Sequence, residues 1–270
     1  MSDQDTGGSV VSRDGTRIAF GRHGSGPPVV LVGGAFTDRL GLVPLARALA
    51  PHFTVYAYDR RGRGASGDTA PYAVDREVED LAAVIGEAGQ AACLFGHSSG
   101  ATLALLAAAN GLPVRRLGLY EPPFIVDGSR TRPPPDLASR LTALAVAGRE
   151  GEALEYWLTH TSGVPADGLA ALRESPSWAA LAAMVHTAAY DATIMADYMT
   201  GNPLPPEWAT LVTVPALVMA GDESGDWARN SVRALTDLLP AARLRTFPGA
   251  GHGLPLAALV PVLGEFFAAD

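Results

Sequence analysis

Short apolar runs alternate with stretches of helical spacing along most of this chain. Residues 9–20 alternate about Asp14-Gly15, which predicts two strands joined by a hairpin turn. Residues 29–32 are continuously apolar, as a strand buried on both faces should be. Residues 40–49 have helical spacing and residues 53–58 predict the next strand. Residues 74–88 predict an amphipathic helix, with Glu77, Glu79 and Asp80 near its start, where they suit the helix dipole. Residues 91–95 predict a buried strand, residues 101–109 a strong helix, and residues 116–120 a further strand. Strands alternating with helices place the chain in the α/β class, with a mostly parallel sheet covered by helices on both faces.

The pattern breaks near Pro122-Pro123. Arg132-Pro133-Pro134-Pro135 then opens a segment of helical composition that runs to about residue 208 and holds Trp157, Trp178 and Trp208. Pro203, Pro205 and Pro206 close it. The alternation resumes with strands at 214–220 and 243–247 and helices at 230–239 and 256–268. The expected organisation is one core domain in two pieces, 1–123 and 209–270, with a helical cap at 124–208 packed on the sheet.

A chain of 270 residues, 48% of them hydrophobic, can bury a sizeable core. The formal net charge is −8 and no block of Lys and Arg occurs, so nucleic acid and anionic membrane are not expected partners. The single cysteine, Cys93, excludes an intramolecular disulfide and lies inside an apolar strand, as a buried structural thiol does. The N-terminal residues 1–8 are polar and acidic, without the basic and apolar regions of a signal peptide. No apolar run is long enough to span a bilayer. A soluble, cytoplasmic protein is expected.

The chemistry centres on Gly96-His97-Ser98-Ser99-Gly100, a G-x-S-x-G run between a predicted strand and a predicted helix. A serine on such a turn is held in a strained bend with its hydroxyl exposed at the helix N-terminus. Its hydroxyl is a weak nucleophile and needs a base within hydrogen-bond reach. His252 lies in Pro248-Gly249-Ala250-Gly251-His252-Gly253, directly after the last predicted strand, on what reads as a flexible, exposed loop. His97 is adjacent to Ser98, but neighbours on a tight bend point apart, so a packed, hydrogen-bonded role suits it better. His23, His52, His160 and His186 have no supporting context. An oxyanion needs backbone N–H donors. Ser99 supplies one; Gly33-Gly34-Ala35-Phe36 offers the second from Ala35, with Phe36 as the alternative. Neither a dinucleotide-binding nor a Walker pattern is present, and no His/Cys/Asp cluster has ligand spacing, so no cofactor and no metal are expected.

These motifs resemble the α/β-hydrolase superfamily, in a serine-nucleophile form with a helical cap. Four runs carry the resemblance: Val32-Gly33-Gly34-Ala35, Asp59-Arg60-Arg61-Gly62-Arg63-Gly64-Ala65-Ser66, Gly96-His97-Ser98-Ser99-Gly100 and Gly249-Ala250-Gly251-His252. The second resembles a structural turn of the family, which implies no catalytic role for Asp59 or Arg61. The family often has His-Gly where this chain has Gly33-Gly34. Its triad acid usually follows the strand at 214–220; there this chain reads Gly221-Asp222-Glu223-Ser224, with Ser224 in the expected place. Some members carry the acid one strand earlier, which implies Glu121, just before Pro122-Pro123. Asp226 and Asp222 remain alternative acids, cap residues such as Asp127 or Asp197 are further ones, and a site with no acid at all stays open. The resemblance implies acyl transfer to water by Ser98, His252 and Glu121, on a small or medium hydrophobic ester, lactone or thioester. C–C bond hydrolysis or a lyase reaction with the same Ser-His pair stays open, as does a non-catalytic protein that binds a small ligand.

Overall fold

The computed structural model describes residues 6–89 and 91–269; the first five residues of the polar N-terminal stretch lie outside them. The strands β1 (Thr6–Val11) and β2 (Arg17–His23) form the expected antiparallel hairpin, turning at Gly15 with φ 87°. The remaining strands are β3 (Pro28–Val32), β4 (Thr54–Tyr58), β5 (Ala92–His97), β6 (Val114–Tyr120), β7 (Ala216–Gly221) and β8 (Ala242–Phe247). They join in one eight-stranded sheet of order β1-β2-β4-β3-β5-β6-β7-β8. Pairing from β4 through β8 is parallel, and β2 meets β4 antiparallel.

Two layers of helices bury the sheet. Along β5, Ala92 and Leu94 enter one apolar cluster, while Cys93 and Phe95 enter the other. That alternation is the two-residue period of a strand covered on both sides. On the first face pack α2 (Val74–Glu87), α3 (Ser99–Ala109) and α10 (Asp226–Leu238); on the second, α1 (Arg39–Leu49) and α11 (Leu256–Ala268). Cys93 is buried, and burial pushes its thiol up to about 11, which suits an inert structural role. Helix α10 begins four residues before the expected start at 230, because Asp226 already lies in its first turn.

Between β6 and β7 the chain builds a separate helical layer. It contains α4 (Leu137–Val146), α5 (Glu150–Trp157), a π-helical turn (Leu158–Ser162), α6 (Ala166–Arg173), α7 (Ser177–Ala183) and α8 (Ala188–Met195). Leu141, Leu154, Trp157, Val185 and Met195 share an apolar cluster of their own. The short α9 (Trp208–Leu211) belongs to the sheet instead. Leu204 and Trp208 pack into the first cluster, with Trp208 5.7 Å from the Phe124 ring. Among the described residues, no helix is long and apolar enough to cross a membrane.

Candidate active site

Ser98 occupies the bend between β5 and α3, with φ 55° and ψ −126°. A non-glycine residue there costs about 1–3 kcal/mol and persists only where its surroundings hold it. Gly96 and Gly100 are what the surroundings require. A Cβ on Gly96 would press on the Gly100 carbonyl and the Ala101 Cα; one on Gly100 would overlap the carbonyl oxygens of Val32 and Gly33. Both obstacles are backbone and cannot rotate away. Gly100→Ala is therefore expected to destabilise the protein by about 1–3 kcal/mol, the usual range for overpacking. A urea unfolding midpoint equal to that of the native protein would refute this.

The His252 segment joins β8 to α11, and it is less free than its glycines suggest. Gly249 N–H donates to Asp222 Oδ1 (2.7 Å), Glu223 N–H to the Ala250 carbonyl (2.9 Å), and the Tyr120 hydroxyl to the Gly251 carbonyl (2.8 Å). His97 Nε2 donates to the carbonyl of His252 itself at 2.8 Å. Burial, and then the neighbouring His252, push the His97 imidazole down to about 4. His97 is therefore a neutral donor near pH 7, in the packed role expected of it. The anchored backbone leaves the His252 side chain half exposed.

Glu121 meets that side chain. Its Oε2 lies 2.7 Å from His252 Nδ1, and its Oε1 accepts from Gly221 N–H (2.9 Å) and from the Ser224 hydroxyl. Glu121 is fully buried. Burial alone would raise its pKa, but the bonds from His252, Ser224 and Gly221 outweigh it and hold the carboxyl below its ordinary range. Ser224, which stands where the family usually has its acid, thus supports the acid of another strand. The alternative carboxylates are engaged elsewhere. Asp222 holds the Gly249 turn, Asp226 pairs with Arg229 at the surface, and Asp127 accepts from Ser129 and Asn230. Asp197 lies in a short 3-10 turn after α8. Among the described residues none of these four bonds to His252.

The loop after β3 closes the site from the other side. A Cβ on Gly34 would sit 3.0 Å from the Ser98 Cβ, so this loop runs against the bend at van der Waals distance. Ala35 and Phe36 follow, Phe36 with φ 55°. The non-glycine residues with positive φ among the described ones are Phe36, Ser98 and Glu121. All three belong to this site, where strain is commonly held. Ser98, Ser99, His252, Ala35 and Phe36 line one cavity of about 360 Å³, beneath Trp157 and Met195 of the helical layer. No hydrogen bond joins the Ser98 and His252 side chains in this arrangement; such contacts tighten when substrate binds.

A buried ionic network fixes the loop from below. Asp191, on α8, accepts from Arg60 Nη1 (2.7 Å) and Ser99 Oγ (2.7 Å) through Oδ1, and from Arg63 Nη2 (2.5 Å) through Oδ2. Arg60 also forks onto Glu77, and Arg63 donates to the Gly34 carbonyl at 2.6 Å. Arg61 pairs with Asp80 and Asp14, and Asp59 accepts from Arg39 and Ala65 N–H. The structural reading of the turn at 59–66 thus has a physical basis: its charges tie α2, α8 and the β3 loop together. Sequence reasoning missed Asp191, Arg130, Thr161 and Trp227, of which the last three line the cavity. A lone acid in the apolar run Ala188-Ala189-Tyr190-Asp191-Ala192 was the available signal for the first; nothing marked the others.

A sequence profile described as "Alpha/beta hydrolase family" matches residues 23–262. N-formylmaleamate deformylase of Pseudomonas putida is 29% identical over 263 residues, covering 94% of this chain and 92% of that protein. The crystal structure of an alpha/beta hydrolase from Sphaerobacter thermophilus is 51% identical with a TM-score of 0.90, covering 97% of this chain and 100% of that one. The enol-lactonase from Burkholderia xenovorans is 23% identical with a TM-score of 0.71, covering 97% of this chain and 100% of that one, a likeness of fold alone.

Proposed function

Because this chain belongs to the alpha/beta hydrolase family, we propose that it is a serine hydrolase that cleaves a small or medium, largely apolar ester, lactone or thioester through an acyl-enzyme. The observation that carries the reading is His252, 2.7 Å from the buried Glu121 and lining the same cavity as the strained Ser98. Ser98 Oγ attacks the substrate carbonyl carbon while His252 Nε2 takes the hydroxyl proton. Glu121 holds the Nδ1–H tautomer and stabilises the imidazolium. The backbone N–H groups of Ser99 and Ala35 receive the oxyanion. The tetrahedral intermediate collapses, the bond to the leaving group breaks, and His252 returns its proton to that group. Water, deprotonated by His252, then cleaves the acyl-serine bond and restores Ser98. The deformylase relative, by its name, acts on N-formylmaleamate, which extends the candidate carbonyls to an activated formyl amide.

A fluorophosphonate probe tests the reading. Covalent labelling of the native protein is expected, and Ser98→Ala should abolish it. An unlabelled native protein would favour a ligand-binding role and overturn the proposal. Turnover of short acyl esters or lactones, with 1,3-diketones left intact, separates acyl transfer from C–C hydrolysis by the same Ser-His pair.

A further inference from the structure

Arg130 is a cation in the wall of the cavity without an acidic partner among the described residues. Its guanidinium lies 4.4 Å from the centroid of Trp227, and both side chains line the cavity with Ser98 and His252. Among the described residues, no carboxylate or carbonyl bonds to it. The other arginines withdrawn from solvent are treated differently: Arg60 and Arg63 share Asp191, and Arg61 has Asp80. An arginine stays charged in a protein, and a partly desolvated charge is costly unless it is paired. Burial acts on Arg130 in that sense and lowers its pKa. Its planar fork of N–H donors matches a carboxylate.

Thr161 adds a second unsatisfied group on the same cavity. Its hydroxyl is buried, with the residue only 8% exposed, and has no hydrogen-bond partner among the described residues. Thr102 of α3 is likewise buried without a partner among the described residues but does not line this cavity, whereas other helical threonines bond to the backbone. Thr142, Thr193 and Thr236 each donate to the carbonyl four residues earlier. Thr161 sits in the π-helical turn (Leu158–Ser162), a form of helix that frequently marks functional sites. A buried hydroxyl left without a partner calls for an explanation, and a ligand atom in the cavity provides one.

We propose that the substrate of this site is a carboxylate-bearing acyl compound, its carboxylate paired with Arg130 and a second polar atom bonded by the Thr161 hydroxyl. Calling the ligand a substrate rests on the serine-hydrolase reading. The remaining walls, from Phe36, Pro123, Trp157 and Met195, are apolar and suit a short hydrocarbon body between the charged end and the reacting carbonyl. A single guanidinium in about 360 Å³ matches the one charge of a carboxylate better than a phosphate, which carries nearly two.

The test compares monophenyl adipate with its methyl ester, which differ only in the free carboxylate. The native enzyme is expected to favour the acid by at least about tenfold in kcat/KM, the worth of a charged hydrogen bond. Arg130→Gln should bring that ratio close to one, through the KM of the acid, and Arg130→Lys should keep part of it. Thr161→Val should raise KM without lowering the melting temperature, since it removes a hydroxyl that has no partner among the described residues. A native ratio near one, a ratio unchanged in Arg130→Gln, or a Thr161→Val variant that melts lower with its KM unaltered overturns the proposal. Glutarate binding, followed by calorimetry on the Ser98→Ala protein with and without Arg130→Gln, decides the anion site independently of turnover. Binding that is lost with Arg130 supports it even if neither ester is cleaved, in which case only the hydrolase reading fails. Absence of glutarate binding overturns it.

Discussion

Glu121→Gln is expected to lower kcat for a short ester by about four orders of magnitude, with KM close to the native value. The substitution conserves volume and leaves an oxygen for Gly221 N–H and the Ser224 hydroxyl, so the buried site keeps its shape. What changes is the atom facing His252. The carboxylate Oε2, 2.7 Å from Nδ1, accepts the Nδ1–H hydrogen bond and leaves Nε2 free as a base. An amide NH₂ in that place donates to Nδ1, which moves the imidazole proton to Nε2. The ring then cannot take the proton of Ser98, and the imidazolium loses its counter-charge. Steady-state kinetics on the native protein, Glu121→Gln and Asp226→Asn measure this directly. Asp226 pairs with Arg229 on the surface, so its variant should stay within a few-fold of native. A Glu121→Gln protein within tenfold of native kcat would remove Glu121 from the mechanism.

Asp191→Asn is expected to cost about 3–5 kcal/mol of folding stability, the range for breaking a buried ion pair by removing one partner. Asp191 is fully buried and receives Arg60, Arg63 and Ser99 at once. Arg60 retains Glu77, but Arg63 is left with neutral partners in a site that water does not reach. The loss is a large share of an ordinary stability of about 5–15 kcal/mol. Urea unfolding measures it, and a change below about 1 kcal/mol would contradict the account. Should the variant not fold, Ser99→Ala removes a single bond of the same network and should cost about 1 kcal/mol. Acid provides a further check. Burial opposes the charge of Asp191, yet Arg60, Arg63 and Ser99 hold its carboxyl below the ordinary 3.8; Glu121 is held below 4.5 by its own partners. A depressed carboxylate contributes its stability in full above the ordinary value and loses it as the pH falls through the depressed one. Stability should therefore decline below about pH 4, and less steeply in Asp191→Asn.

The site was legible to unequal depths. Ser98 stood out because everything that shapes its bend is local: an apolar strand, two small residues and a strong helix within a dozen positions. His252 was visible for a similar reason, as a histidine among glycines after the last strand. Its loop was nevertheless misjudged as flexible, since the bonds that anchor it come from Asp222, Tyr120 and His97 on other strands and loops. Glu121 drew notice through its place at the end of a predicted strand and through the resemblance, which left Asp222 and Asp226 beside it. Arg130 and Thr161 had no sequence signal, because a missing partner is a property of space and not of spacing.

The order of strands and helices, the buried thiol of Cys93 and the turn that carries Ser98 were set by the sequence alone. Periodicity and turn chemistry act between residues a few positions apart, and each such signal can be read where it stands. Which carboxylate faces His252, which charges are buried together and which cation is left for a ligand were decided by the tertiary structure. Glu121 and His252 are 131 residues apart in the chain and 2.7 Å apart in the site. A hydrogen bond is lost within a fraction of an ångström, so the choice among similar carboxylates waits until the sheet register and the helical layer bring distant residues to that distance.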